Sequence, residues 1–365
     1  MDFIDLKAQQ DKIKDSLAER THNVLAHGRY INGPEVGELE QYLADYTGAK
    51  HAISCGNGTD ALMIALMALG IKAGDEVITT PFTFYATAEV MAVLGIVPVF
   101  VDIDPLTYNI DAALIAENIT SKTKAIMPVS LYGQCADMCA INVIAKAHDL
   151  FVIEDAAQSF GAQYKGVRSC NLSAVGTTSF FPSKPLGAYG DGGMMFTNDD
   201  AVAKTLRMLC NHGQERRYYH TLNGFNSRLD TLQAAVLLSK VEVFDEEVVA
   251  RERIGDQYTS MLKDYVTTPV KAQNCSHIYA QYTIQVDHRG AFQDTLKAQS
   301  IPTTVHYPVP LHFQPAMQKF GYKAGDFPLA EAAAERVVSL PMHPYLSDTD
   351  QSRVVDAVIA FTQQS

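Results

Sequence analysis

The sequence predicts an α/β fold: a mainly parallel, helix-covered sheet of seven strands, followed by a smaller C-terminal α+β domain. Three observations carry this. From Lys50 to about Asn198, short β-rich runs alternate with helical stretches, the order that builds parallel sheets with helices on their faces. From Arg207 to about Arg253 helical patterning dominates, and beyond it strand-like and helix-like segments mix again. No internal repeat or low-complexity linker interrupts the chain, so the two parts are expected to pack closely.

In chain order, the predicted strands are HAISC from His51, EVITT from Glu76, VPVFVDI from Val97, KAIMPVS from Lys124, LFVIED from Leu150, TTSFF from Thr177 and GMMFT from Gly193. Between them lie the helical patterns TDALMIALMALG, ATAEVMAVLG and MCAINVIAKAHD. The remainder offers a strand-like IYAQYTIQV, a helix near residues 291–299 and a helix-like 329–338. The expected division is a large domain over 1–250, including an N-terminal helix, and a small one over 251–365.

Composition narrows the function. The 365 residues carry 29 Lys+Arg against 41 Asp+Glu, a formal charge of -12, which argues against nucleic acid or an anionic membrane as partner. An anionic ligand would need local positive groups. The six cysteines form no CxxC pair, and Cys135 and Cys139, which could share a helix face, lack two further ligands nearby, so no metal site is expected. The start, MDFIDLKAQQDKIKDSLAER, is charged and amphipathic without an apolar core, and no apolar run is long enough to span a bilayer. The expectation is a soluble, cytoplasmic protein.

In an open α/β sheet, ligands sit at the carboxyl ends of the strands. Three such ends carry unusual residues. After HAISC comes Gly56-Asn57-Gly58-Thr59-Asp60, leading into a helix, where free backbone N–H groups and the Thr59 hydroxyl suit a phosphate. Taken alone, it is equally a glycine turn with Thr59 as N-cap. It matches neither the P-loop nor the dinucleotide GxGxxG pattern, which argues against an NTPase or a nicotinamide enzyme.

The second end is Ile153-Glu154-Asp155-Ala156-Ala157-Gln158. An acid closing an apolar strand is costly to bury unless a cation meets it, and a protonated pyridine nitrogen is such a cation. A structural carboxylate accepting backbone N–H bonds is the competing reading. The third end, Ser179-Phe180-Phe181-Pro182-Ser183-Lys184 with a glycine-rich loop after it, suits a lysine that forms a Schiff base. One lysine on a loop is ordinarily solvated; it is the series of three ends that points to pyridoxal phosphate (PLP).

The segments GNGTDAL, PFTFYATAE, VIEDAAQSFGA, SFFPSKPLGAYGDGG, NSRLDTLQAA and HYPVPLH resemble the DegT/StrS-type sugar-nucleotide aminotransferases, PLP enzymes of fold type I. The likeness spans nearly the whole chain, from DLKAQQ and HGRYINGPEV to SLPMHPYL. Within that family it is nearest the enzymes that aminate UDP-2-acetamido-2-deoxy-hex-3-uluronic acid in bacterial surface-polysaccharide (O-antigen type) biosynthesis.

The resemblance implies roles for particular residues. Lys184 carries the cofactor as a Schiff base and shuttles the proton, and Asp155 pairs with the pyridine nitrogen. Gln158 lies near the ring hydroxyl, and Phe84 stacks on the ring unless it is plain core. Gly58, Thr59 and Ser179 bind the phosphate, with Asn226 reaching over from a second subunit. Arg228 is the candidate grip for a carboxylate, its alternative being a salt bridge such as one with Asp230. His306 and Tyr307 complete a sugar-acid site unless His306 is structural, with Gly28, Tyr30 and Ser183 as further contacts.

The expected partners are a nucleotide sugar and L-glutamate, in a homodimer with shared active sites. Two rivals are an aminotransferase for a 4-keto-6-deoxy sugar nucleotide and a PLP-binding regulator. The sugar 3-dehydratases of the family are implied to carry His at the Schiff-base position, which Lys184 argues against.

Overall fold

The main sheet of the computed structural model, which describes residues 1–363, has its strands in the order β1-β7-β6-β5-β4-β2-β3. These are β1 (His51–Cys55), β2 (Glu76–Thr79), β3 (Val97–Phe100), β4 (Thr123–Ile126), β5 (Phe151–Asp155), β6 (Val175–Ser179) and β7 (Gly193–Thr197). β7 runs antiparallel to both neighbours, and the pairs from β6 through β5, β4 and β2 to β3 are parallel. The expected seven-stranded, mainly parallel sheet is therefore present.

Helices α1 (Leu6–His27) and α2 (Pro34–Thr47) precede the sheet. Then α3 (Gly58–Ala68) and α4 (Ala86–Val93) follow β1 and β2, α5 (Met138–Ala147) joins β4 to β5, and α6 (Asp200–Leu209) follows β7. Local chemistry sets their starts. Asn57, Asp137 and Asp199 each accept a first-turn N–H at the mouths of α3, α5 and α6. The long α7 (Thr231–Leu262) leads into a C-terminal part holding α8 (Arg289–Ala298), α9 (Pro328–Arg336), α10 (Asp348–Thr362) and an antiparallel ribbon of β8 (Tyr282–Gln285) with β9 (Val337–Leu340).

Apolar clusters fill both faces of the sheet. Ile53, Ile64, Leu66, Val77 and Leu206 pack under α3, α4 and α6; Leu39, Phe160, Phe180, Phe196 and Leu237 pack under α2 and α7. A separate cluster with Ile254, Tyr258, Tyr282, Val338 and Val358 forms the C-terminal core. A further cluster, with Phe82, Tyr108 and Tyr132 against Leu311, Phe327 and Val337, ties the strand ends to the C-terminal part. The point expected to divide the domains, near residue 250, falls inside α7.

Three local expectations are corrected. The strand read as starting at Thr177 begins at Val175. The helical stretch expected over 207–253 is broken between Leu209 and Thr231 by a loop carrying a short hairpin, Gln214–Arg216 with Tyr219–His220. The cause is local: His212 and Gly213 take left-handed backbone (φ 57° and 65°), and a Cβ on Gly213 would lie 1.9 Å from the Leu222 carbonyl oxygen. The helix read over 329–338 ends at Arg336, and Val337 and Val338 are strand. Among the described residues no helix is long and apolar enough to cross a membrane, and no His/Cys/Asp/Glu group could hold a metal ion.

Candidate active site

The carboxyl ends of β1, β5 and β6 open onto one cavity of about 440 Å³, within the usual range for a small-molecule site. The loop after β2 adds Thr83 and Phe84, and the C-terminal part closes it with Gln281, His306 and Tyr307. Asp155 and Lys184 both line this cavity, the convergence that the strand-end reading required.

Asp155 is the last residue of β5, and the parallel pairing with β6 buries it. Thr87 Oγ1 donates to its Oδ2 at 2.9 Å and the Ala157 N–H to its Oδ1 at 3.2 Å. Burial pushes its carboxyl above the usual carboxylate range, opposed by those two bonds and by the charge of Lys184. Lys184 follows β6 on a turn closed by its N–H on the Phe181 carbonyl (2.8 Å). Its side chain lines the cavity, and the amine is pushed below the ordinary lysine value by burial, against a smaller upward pull from Asp155. A lysine so placed is readily a free amine.

The phosphate end is built by α3. Its first N–H groups, at Gly58 and Thr59, have no acceptor within the helix and face the cavity with the Thr59 and Ser179 hydroxyls. Gly58 must be glycine: a Cβ there would come within 2.6 Å of the Ser179 Cβ.

On the far wall, Gln158 Oε1 accepts the Tyr132 N–H at 2.8 Å, so its amide nitrogen is the donor, to Tyr307 Oη at 3.0 Å. The Tyr132 hydroxyl donates to the His306 carbonyl oxygen. His306 pairs its Nδ1 with Ser339 Oγ at 2.9 Å, and burial, with the charge of Lys184, brings its pKa down to about 4, so the ring is neutral. Burial raises the Tyr307 phenol well above its ordinary value, which keeps it a proton donor. Phe84 is 54% exposed at the rim, 6.1 Å from the Tyr307 ring centroid, and is not core.

Ten of the fourteen residues singled out from sequence thus share one cavity: Gly58, Thr59, Phe84, Asp155, Gln158, Ser179, Ser183, Lys184, His306 and Tyr307. The other four lie outside it. Asn226 is exposed, bridged to Asn211. Gly28 and Tyr30 are exposed on the loop before α2, where the Tyr30 carbonyl accepts the Thr231 N–H. Arg228 lines a second cavity of about 370 Å³ with Glu40, Arg207 and Asn211. Its Nη1 bonds Asn211 Oδ1 at 3.3 Å, not Asp230, and its buried Nε has no partner.

Sequence reading missed Thr83, Thr87, Tyr132, Gln281 and Ser227. A signal existed for Thr87, a buried hydroxyl in the first turn of ATAEVMAV, where Glu89 is the one other polar side chain. Ser227 takes the Gly56 N–H and donates to Asp60, bracing the phosphate loop from behind. Tyr132 and Gln281 are brought in by tertiary packing alone.

The donor set fits PLP. A buried carboxylate awaits a cationic ring nitrogen, an amine with depressed basicity faces it, and a helix N-terminus with two hydroxyls awaits a dianion.

Comparison with known proteins agrees. The family model for DegT/DnrJ/EryC1/StrS aminotransferases matches residues 11–359. The chain is 56% identical, over 98% of its length and 99% of the relative, to a UDP-2-acetamido-2-deoxy-3-oxo-D-glucuronate aminotransferase of Pseudomonas aeruginosa. It is 48% identical, over 98% of both, to a pleiotropic regulatory protein of Geobacillus stearothermophilus. Among solved structures it superposes on a family aminotransferase of Brucella abortus (TM-score 0.95, 44% identity, 99% of both chains). It also superposes on NtdA of Bacillus subtilis, which holds the cofactor PMP (TM-score 0.90, 32% identity, 99% of this chain and 83% of that one). The cofactor of this enzyme is pyridoxal phosphate, and the chain belongs to the DegT/DnrJ/EryC1/StrS family of aminotransferases.

Proposed function

We propose that this enzyme moves an amino group from L-glutamate to the keto carbon of UDP-2-acetamido-2-deoxy-3-oxo-D-glucuronate, giving the 3-amino sugar nucleotide. The reading rests above all on the 56% identity to the Pseudomonas aeruginosa enzyme over nearly the whole of both chains. On this reading the product would enter the biosynthesis of a bacterial surface polysaccharide of the O-antigen type, in the cytoplasm.

In this scheme Gly58, Thr59 and Ser179 would hold the cofactor phosphate, Phe84 would cover the ring, Gln158 would offer its amide nitrogen to the ring hydroxyl, and Asp155 would keep the ring nitrogen protonated. When bound, PLP supplies the electron-withdrawing ring that stabilises the carbanion at the carbon losing its proton. Lys184, whose amine would carry the cofactor, is also the base that would take up and give back the proton of the donor Cα. A positioned base of this kind contributes ~10²–10⁴-fold. Neutral His306, Tyr307 and Ser183 receive the sugar.

Gly28, Tyr30, Asn226 and Arg228 complete the site from a second copy in a homodimer. The exposure of Gly28, Tyr30 and Asn226 outside the chain's own cavity, and the position of Arg228 in a separate cavity, support that arrangement. Arg228, with its unpartnered Nε, is the carboxylate grip.

The test is a screen of purified protein first converted to its amino form with glutamate. Turnover with the UDP-linked 3-oxo uronate, and little with a dTDP-linked 4-keto-6-deoxy sugar, is the expected result. The regulatory protein at 48% identity favours one second reading, a PLP-binding regulator; bound cofactor that glutamate leaves unchanged would establish it instead.

A further inference from the structure

The carboxylate of Asp155 is held by a side chain that the reaction scheme leaves unused. Thr87 Oγ1 donates to Oδ2 at 2.9 Å, and both groups are buried. A hydroxyl has one proton to give. Thr87 gives its proton to Asp155, so the 3.4 Å contact between the Thr87 and Thr83 hydroxyls can have only one polarity: Thr83 donates and Thr87 accepts. Thr83 is buried at the cavity wall, and Thr87 lies in the first turn of α4.

We propose that Thr83 and Thr87 form a directional hydroxyl relay that keeps Asp155 ionised and aimed at the ring nitrogen of the cofactor. Thr87 is then a positioning residue: it touches neither cofactor nor substrate and acts through Asp155. The physical case has two parts. An ionised carboxylate only accepts, and each donor placed on it favours the charged form over the neutral acid that burial alone would select. Donors on Oδ2 from Thr87 and on Oδ1 from Ala157 also fix the carboxylate plane, leaving the remaining lone pairs toward the cavity. Thr83, by donating to Thr87, polarises the hydroxyl and strengthens its bond to Asp155.

The proposal rests on the assignment of Asp155 to the ring nitrogen, and the experiment separates the two. Dissociation constants are measured for pyridoxamine phosphate, which forms no bond with Lys184, and for its 1-deaza analogue, which has carbon where the ring nitrogen stands. Wild type should prefer the natural ring. Thr87→Val, nearly the same shape, should lose about 10-fold or more in affinity for pyridoxamine phosphate while binding the deaza analogue within about twofold of wild type. Thr87→Ser should restore the preference.

Thr83→Val should show a smaller loss of the same selectivity, and adding it to Thr87→Val should cost nothing more, because the relay is already cut. Equal losses for both ligands in Thr87→Val, or additive effects of the two substitutions, would overturn the relay. Equal binding of both ligands by wild type would overturn the Asp155 assignment with it. If Thr87→Val does not fold, Thr83→Val and Thr87→Ser decide on the same readout.

Discussion

Taking Asp155 and Lys184 out of water raises the one and lowers the other, so each alone would drift toward its neutral form. Their mutual attraction opposes this only in part. A protonated ring bound in the cavity would resolve the conflict: it would supply a cation to Asp155 and leave the amine of Lys184 free to carry a proton. Both residues were legible in the sequence because a charge at the end of a buried strand is costly and demands a reason. Thr87, Tyr132 and Gln281 were not, since a threonine, a tyrosine and a glutamine are unremarkable until the fold shows what they face. Arg228 is the sharpest residue-level test. A guanidinium grips a carboxylate through a planar fork that lysine cannot copy. Arg228→Ala should lower kcat/KM for the uronate about 10–100-fold and for a neutral keto sugar by no more than about threefold. Equal losses would sink the carboxylate grip.

At the scale of elements, chemistry collects where strand meets helix because only there does backbone reach the cavity unpaired. The β1–α3 turn shows the constraint most plainly. Its glycine lets two chain segments touch, with a Cβ at Gly58 destined to sit 2.6 Å from the Ser179 Cβ and 3.0 Å from its hydroxyl. Gly58→Ala should push Ser179 away from the phosphate position. The expected result is at least about 10-fold weaker binding of pyridoxamine phosphate, with binding of unphosphorylated pyridoxamine unchanged. A parallel loss for both would move the role of Gly58 from phosphate recognition to folding. The strands and helices from β1 to β7 were readable in kind and order, because periodicity and turn residues agree there, while several strand ends were misplaced by two to four residues, VPVFVDI stopping at Phe100 and KAIMPVS at Ile126. Residues 210–230 were misread because their character comes from left-handed backbone at His212 and Gly213 and from close packing of Gly224 on Leu209, which no periodicity reveals. α2, α10 and α6 up to Leu206 went unread.

For the molecule as a whole, the shared-site arrangement makes a quantitative prediction. Lys184→Ala and Arg228→Ala subunits, each nearly inactive toward the uronate alone, should recover activity when mixed and allowed to exchange. Each mixed dimer would hold one intact site, so random pairing should restore about a quarter of wild-type activity. No recovery after demonstrated exchange would mean that each chain builds its site alone. Acid sensitivity is a second global property. His277, whose Nδ1 accepts the Tyr279 N–H, is pushed down to about 3 by burial, and His343 down to about 4. Unfolded histidines take a proton below about 6.5 while these two refuse it, so stability drains away as pH falls from 6.5 toward 4. Glu154, raised to about 7 by burial, works the other way, favouring the folded chain as pH falls from 7 toward 4.5. The two imidazoles outweigh it. Thermal midpoints should therefore fall across that window, and His343→Gln should flatten the slope; an unchanged slope would clear His343 of any part.

The 32 residues of α7 make a rod about 48 Å long, rooted among the sheet's helices at one end and in the C-terminal core at the other. We propose that the two domains are two cores sharing this one beam. α7 runs unbroken from one core into the other, so a jaw-like swing of the C-terminal part would have to bend the helix itself rather than turn on a linker.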